Sequence, residues 1–320
     1  MFENHNQITL NLNKAFGEHQ LNSPLKLLDG GYSSSNNYLV ELNNDKYVYR
    51  ELSPKSTYQN RKNECVATKL MSDKLIGAKC FYIDEKYTVI IIKYLDGRDA
   101  NYNDVTNANE GFYTPIRKLH NLQINTNFPK SKTLIQRIDN YLLNVSTENN
   151  IINQSDLASA KKLYDTTINN QETCFVHGDL NHNNLRITNK SNILIDWADF
   201  GLGCPLEDIS SLGRGISKIQ QQNLLTQYFK RLPNQNELDK FRIYCHIHWL
   251  LLASWALEQL TIRRVSIIES FEQLETLKNI NAKSYLKNCI NSKIDLSNDN
   301  HLIVFTKACI KAFQQPLDIN

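Results

Sequence analysis

The sequence predicts an α+β protein of two lobes, a small antiparallel sheet over residues 1–95 and a larger, mainly helical part over 96–320. Three observations carry this. Short apolar runs bounded by Gly, Asn and Asp turns crowd the chain at 25–28, 38–42, 47–51, 80–83 and 88–93. From Phe112 onward apolar residues recur at helical spacing. A single stretch, Cys174 to Asp208, interrupts the helices with short apolar runs separated by polar residues.

Composition narrows the class. With 320 residues, 41% hydrophobic and 22% charged, the chain falls among ordinary globular proteins of about two domains. A net charge of +3 without a block of like charges gives no argument for nucleic acid. Seven cysteines, odd in number and without a CxxC pair, are expected to be reduced thiols of a cytoplasmic protein. Cys245, His246 and His248 do not suit a metal, because positions i and i+2 of a helix point to different faces. The opening MFENHNQITL lacks the basic and apolar regions of an export signal, and Val89 to Ile92 and Trp249 to Leu257 fall short of the ~20 residues of a membrane span. Oligomeric state is not legible.

Taken in order, residues 1–23 suggest a short amphipathic helix through Leu12, Ala15 and Phe16, and Leu25 to Leu28 opens the first strand. Gly30-Gly31-Tyr32-Ser33-Ser34-Ser35 separates it from Tyr38 to Leu42, and Asn43-Asn44-Asp45 turns into Tyr47 to Glu51. Alone, the loop reads as an ordinary hairpin turn. With phosphate chemistry downstream, Gly31, Ser33, Ser34 and Ser35 become candidates to bring N–H groups and hydroxyls against an anion. Arg50 ends the third strand, and a helix from Asn60 to Lys74 places Glu64 on its first turn. The two repeat the ion pair that positions phosphates in kinases; the plainer alternative is a surface pair. Cys80 to Ile83 and Thr88 to Lys93 complete the sheet. Tyr94-Leu95-Asp96-Gly97-Arg98 leaves it as an extended linker, where Tyr94 and Leu95 offer backbone groups to an adenine ring.

Helices are expected over Phe112 to Leu122, Leu134 to Leu143, and Leu157 to Ile168 behind Ser155 as N-cap. His120 reads as a hydrogen-bonded core histidine. Beyond Asp208 come Gln220 to Phe229, a break at Pro233, a long helix from Glu237 to Leu260, and amphipathic segments near 265–279 and 302–313.

The chemistry lies in Cys174 to Asp208. Phosphoryl transfer needs a carboxylate within reach of the attacking hydroxyl and oxygen ligands that hold Mg²⁺ on the nucleotide phosphates. Asp179 in His177-Gly178-Asp179 suits the first role, and Asn184 and Asp196 suit the second. Runs at Leu185 to Ile187 and Ile193 to Ile195, joined by Asn189-Lys190-Ser191-Asn192, form a hairpin that returns Asp196 beside Asn184. A buried hairpin with incidental polar ends is the alternative.

This order of parts resembles the choline/ethanolamine kinase and aminoglycoside phosphotransferase families, which share a protein-kinase-like fold, over about residues 25–260. HGDLNHNN, LIDWADFG and PLEDI are similar to the catalytic and metal segments of bacterial choline kinases and thiamine kinases, and GGYSSSNNYLV, YRELSP, NRKNE and IRKLHNL keep the same order. The resemblance implies Asp179 as base, Asn184 and Asp196 as Mg²⁺ ligands, Arg50 on the nucleotide phosphates oriented by Glu64, and Asp208 as a structural acid tying the metal loop to the helices. It implies ATP as donor and a small cationic alcohol, choline or a related amino alcohol, as acceptor. Thiamine or an aminoglycoside, and a nucleotide-binding pseudokinase acting as an interaction module, stay open. Aromatic faces hold a quaternary ammonium. Trp255 falls in register with one cage Trp of choline kinases, and Leu252 occupies the second position. Trp255, Trp249 and Asp199 are therefore the acceptor-side candidates, with a core role as the alternative for both Trp. Leu212-Gly213-Arg214-Gly215 offers no acid-plus-aromatic pair. Six Lys or Arg against four Glu over 241–290 weigh against a polycationic aminoglycoside.

Overall fold

The computed structural model describes residues 2–17, 25–28, 35–108, 111–123, 128–146, 151–168, 172–265, 281–291 and 293–317. The chain forms two compact units, Met1–Asp99 with Asn184–Phe200, and Ala100–Asn183 with Gly201–Asn320. The α+β class expected from the sequence holds.

In the first unit, β1 (Lys26–Leu27), β2 (Asn36–Leu42), β3 (Asp45–Glu51), β4 (Cys80–Ile83) and β5 (Val89–Lys93) form an antiparallel sheet in the order β1-β2-β3-β5-β4. Asn43 and Asn44 both take left-handed backbone, φ 51° and 65°, which the two-residue turn between right-twisted strands demands and Asn tolerates. Strand alternation sorts the side chains. Val40, Leu42, Tyr47, Tyr49, Val89 and Ile91 pack with Ile8 and Leu12 of α1 (Phe2–Phe16), while Leu52 and Ile90 pack with Cys65 of α2 (Tyr58–Asp73). Thr57 caps α2 by accepting from Asn60 N at 3.2 Å. The cap starts the helix two residues earlier than periodicity suggests, so Glu64 lies on its second turn, not its first. β8 (Leu185–Ile187) and β9 (Asn192–Leu194) pair as the expected hairpin, extended by β6 (Arg98–Asp99) from the end of the linker.

The second unit is built on a 28-residue helix, α9 (Gln235–Ile262), which starts at an Asn234–Glu237 capping box. Apolar side chains surround much of it because neighbours cover several faces. α5 (Leu134–Leu142) contributes Leu134 and Ile138, and α11 (Asp299–Gln314) contributes Leu302, Phe305, Cys309 and Phe313, to one core with Tyr244, Ile247, Leu250 and Leu257. Around these lie α3 (Tyr102–Thr106), α4 (Thr114–His120), α6 (Gln154–Asp165), α7 (Pro205–Gly213), α8 (Lys218–Phe229) and α10 (Ala282–Ile290). α6 begins after Asn153, so Ser155 lies inside the helix and is not its cap. β7 (Cys174–Val176) pairs with β10 (Gly201–Gly203), a strand periodicity did not indicate. The segment expected near 265–279 lies outside the described residues beyond Val265. All seven cysteines are free thiols, and among the described residues no helix is long and apolar enough to cross a membrane.

Candidate active site

The first unit holds the groups suited to nucleotide phosphates. Arg50, on β3, points at α2 and the end of the β8–β9 hairpin. Its Nη2 lies 2.9 Å from Glu64 Oε1 and 3.0 Å from Asp196 Oδ1. Burial opposes the charge on Arg50, but Asp196 and Glu64 more than compensate and raise its pKa. For Glu64 burial wins over Arg50, and its carboxyl sits above the usual range. The hairpin does what its spacing implies, because Ile195 N–H donates to Asn184 O at 3.0 Å and so sets Asp196 beside Asn184. Asp196 itself has φ 68°, a conformation that costs energy for a residue with a Cβ and that Asp tolerates better than most.

This donor set fits Mg²⁺. Oδ1 of Asp196 is taken by Arg50, and among the described residues Oδ2 has no partner. Asn184 adds a carboxamide. A hard ion that keeps waters and substrate phosphates in its shell needs only one or two protein oxygens. Among the described residues no group of three or more His, Cys, Asp or Glu could hold a metal, so an all-protein cage is not offered.

Of the remaining nucleotide candidates, Ser35 Oγ accepts from Ser53 N at 3.2 Å, and Tyr94 N–H is committed to Lys46 O at 3.0 Å. Leu95 is half-buried. Gly31, Ser33 and Ser34 lie outside the described residues.

In the second unit Asp179 sits on a loop held from two sides. Asp208, buried on α7, accepts from His177 N at 2.9 Å with Oδ2 and from Gly178 N at 3.0 Å with Oδ1. His120 adds Nε2 to Oδ2 at 2.9 Å and faces Tyr228 OH with Nδ1 at 2.6 Å, so Nε2 carries the proton. His120 is thus the bonded core histidine expected. Asp208 is a structural acid as expected, but the segment it grips is the His177–Asp179 loop, not the loop of Asn184 and Asp196. Burial pushes its carboxyl up, and His120 with the backbone donors brings it below the ordinary range. Gly178 supplies φ 82° at the bend.

From the other side comes Arg137 of α5, which the sequence reading missed. Its Nη1 donates to Gly178 O at 2.7 Å and its Nη2 to Asp179 Oδ1 at 2.6 Å. Asn181 Nδ2 donates to the second oxygen at 2.9 Å. Burial again raises the carboxyl, while Arg137, then His177 and Arg214, carry it below the usual value. The side chain keeps 39% of its surface accessible. An ionised carboxylate, fixed in direction yet reachable, can accept a hydrogen bond from an incoming hydroxyl. The signal for Arg137 was available: helical spacing puts it on the stripe of Leu134 and Ile138, where a cation needs a buried partner.

The acceptor-side candidates separate. Trp249 is 5% exposed and belongs to the helical core, whereas Trp255 is half-buried and meets Phe305 edge-on at 6.5 Å between centroids. Six residues apart on α9, they point roughly 120° away from each other. Asp199 belongs to the first unit, where its charge acts on Glu64.

Solved structures share this fold at low identity. A choline/ethanolamine kinase family protein from Mesorhizobium loti aligns with TM-score 0.62 and 18% identity, over 95% of this chain and 99% of its own. The choline kinase LicA from Streptococcus pneumoniae gives 0.67 and 12%, over 97% and 99%. The macrolide 2'-phosphotransferase MphH from Brachybacterium faecium gives 0.56 and 10%, over 81% and 97%. No curated protein matches the sequence. The profile of the phosphotransferase enzyme family matches residues 24–242, more than half of the sequence, and the chain belongs to that family.

Proposed function

We propose that this phosphotransferase moves the γ-phosphate of ATP to a hydroxyl of a small molecule. The observation that carries the reading is Asp179, an ionised and accessible carboxylate whose loop is gripped by Asp208 and Arg137. In this reading Asp179 orients the acceptor hydroxyl and takes its proton as the new O–P bond forms and the bond to ADP breaks. Arg50, set by Glu64, serves the nucleotide phosphates, with Gly31, Ser33, Ser34 and Ser35 as their loop and Tyr94 and Leu95 beside the base. Asn184 and Asp196 would hold Mg²⁺, which when bound offsets phosphate charge. LicA has been solved with AMP, which supports a nucleotide as co-substrate. Most of the rate enhancement then comes from positioning and preset charge.

The cationic amino alcohol expected from the sequence, choline or a relative, draws support from the choline kinase structures. The cations that act on Asp179, Arg137 and Arg214, favour an acceptor of the opposite sign. The pseudokinase alternative would leave the Asp179, Asn184 and Asp196 set without a purpose. A melting scan with Mg-ATP and an ADP-release assay across hydroxyl acceptors decide between them. A raised melting temperature together with acceptor-dependent ADP supports the enzyme. A raised melting temperature with no ADP from any acceptor supports the interaction module, and no response to Mg-ATP contradicts both.

A further inference from the structure

Arg214 ends α7 and is only 9% exposed. Its Nε is buried without a partner, and among the described residues its guanidinium makes no ion pair or hydrogen bond. A buried charge is expected to be paired. Service to the helix does not explain it, since a cation at a helix C-terminus would bond the last carbonyls, and Gly213 O is instead taken by Gln221 Nε2 at 3.1 Å. The carboxylate whose field reaches Arg214 is Asp179, which is already bonded to Arg137 and Asn181. Burial pulls the Arg214 guanidinium down to about 10, which leaves it charged at neutral pH.

The neighbourhood keeps the same sign. Gly215, the next residue, lines a cavity of about 500 Å³ walled by Trp249, and its charged lining among the described residues is Lys218, Arg242, Lys283 and Lys311, with no carboxylate. A cationic ligand would meet like charge in this lining, and an aromatic wall alone does not offset it.

Resting on the phosphotransferase reading, we propose that the acceptor carries an oxyanion, a carboxylate or phosphate, beside the hydroxyl to be phosphorylated, and that Arg214 is the residue that binds it. A planar guanidinium with two free amino groups matches such an oxyanion in bidentate fashion. The charges of Arg214 and Asp179 act on each other, so an oxyanion on Arg214 would lie within electrostatic reach of the hydroxyl at Asp179. An unpaired buried cation, costly in the empty protein, gains its counter-ion only when the acceptor arrives.

The test compares acceptors and Arg214 variants. With Mg-ATP saturating, ADP release is measured with hydroxy acids (D-glycerate, L-homoserine), a hydroxylated phosphate monoester (glycerol 3-phosphate), and oxyanion-free alcohols (choline, ethanolamine, glycerol). In parallel, the melting temperature is read with L-malate or inorganic phosphate added to the complex with a non-hydrolysable ATP analogue. The expected result is turnover in an oxyanion set, or a melting rise with an oxyanion probe. Arg214→Gln should lower acceptor kcat/KM or probe affinity about 100-fold with the Mg-ATP KM unchanged, and Arg214→Lys should restore part of it. Arg214→Gln should melt no lower than wild type, because it removes an unpaired buried charge; a lower melting temperature with intact acceptor kinetics would mark Arg214 as structural and overturn the proposal. Turnover confined to choline, ethanolamine or glycerol overturns it while leaving the phosphotransferase reading intact. So does Mg-ATP binding with no oxyanion effect in either assay. Absence of any Mg-ATP effect defeats the underlying reading instead.

Discussion

Arg137 Nη2 stands 2.6 Å from Asp179 Oδ1 while its Nη1 holds the carbonyl of Gly178, so one side chain fixes both the charge and the direction of the proposed base. Arg137→Gln should lower kcat roughly 10–100-fold, about 1.4–2.7 kcal/mol of barrier, with the Mg-ATP KM unchanged. Because Arg137 lowers the carboxyl of Asp179, its loss raises that pKa. The acid limb of the rate profile should therefore move to higher pH, and a limb that stays in place would argue against this role.

Arg50 neutralises two acids, Glu64 and Asp196. Arg50→Gln should cost about 3 kcal/mol in urea unfolding, because it strands a buried carboxylate. The carboxyl of Glu64 is already raised by burial and would rise further without Arg50. A raised folded pKa means stability lost as pH rises through it, so the deficit should be larger at pH 8 than at pH 5. The melting rise produced by Mg-ATP should shrink in the same variant.

Asp208 receives two backbone donors and His120, and its folded pKa is depressed. Its contribution is present above the ordinary carboxylate value of about 4 and lost as pH falls through the lower folded value. Asp208→Asn turns an amide toward N–H donors and should cost roughly 2–4 kcal/mol. Faster hydrogen exchange at the His177 and Gly178 amides is the direct readout.

Glu207 behaves in the opposite sense. Burial pushes it up to about 7, against the Leu134 N–H at 2.6 Å and the Tyr164 hydroxyl at 2.9 Å. With an unfolded value near 4.3, its favourable contribution is complete below that pH and is lost as pH rises through about 7, up to roughly 3 kcal/mol. Glu207→Gln can accept from Leu134 and donate to Tyr164, so its unfolding free energy should fall less than that of wild type between pH 5 and pH 8.

What was legible in the sequence was local. The Asn43-Asn44 turn, the hairpin that brings Asp196 to Asn184, and α9 each follow from chemistry within a few residues or a long periodic pattern. Arg137 was not, because its partner lies far along the chain and only the burial of its stripe hints at one. β10 was hidden for another reason. Gly201 is there because a Cβ would stand 2.4 Å from Pro129 O, a close approach that leaves no strand propensity to read. Ser155 misled because the true cap, Asn153, makes no side-chain cap hydrogen bond. The acceptor was least legible, since the proposal for it rests on Arg214 being buried without a partner, and pairing is a property of the fold.

The central claim is that Asp179 performs the phosphoryl-transfer step, and the most direct measurement is ADP release by Asp179→Asn beside wild type under saturating Mg-ATP and the best acceptor. The variant should bind Mg-ATP within about twofold of wild type, and its kcat should fall by roughly 10²–10⁴-fold. Turnover within tenfold of wild type would contradict the account.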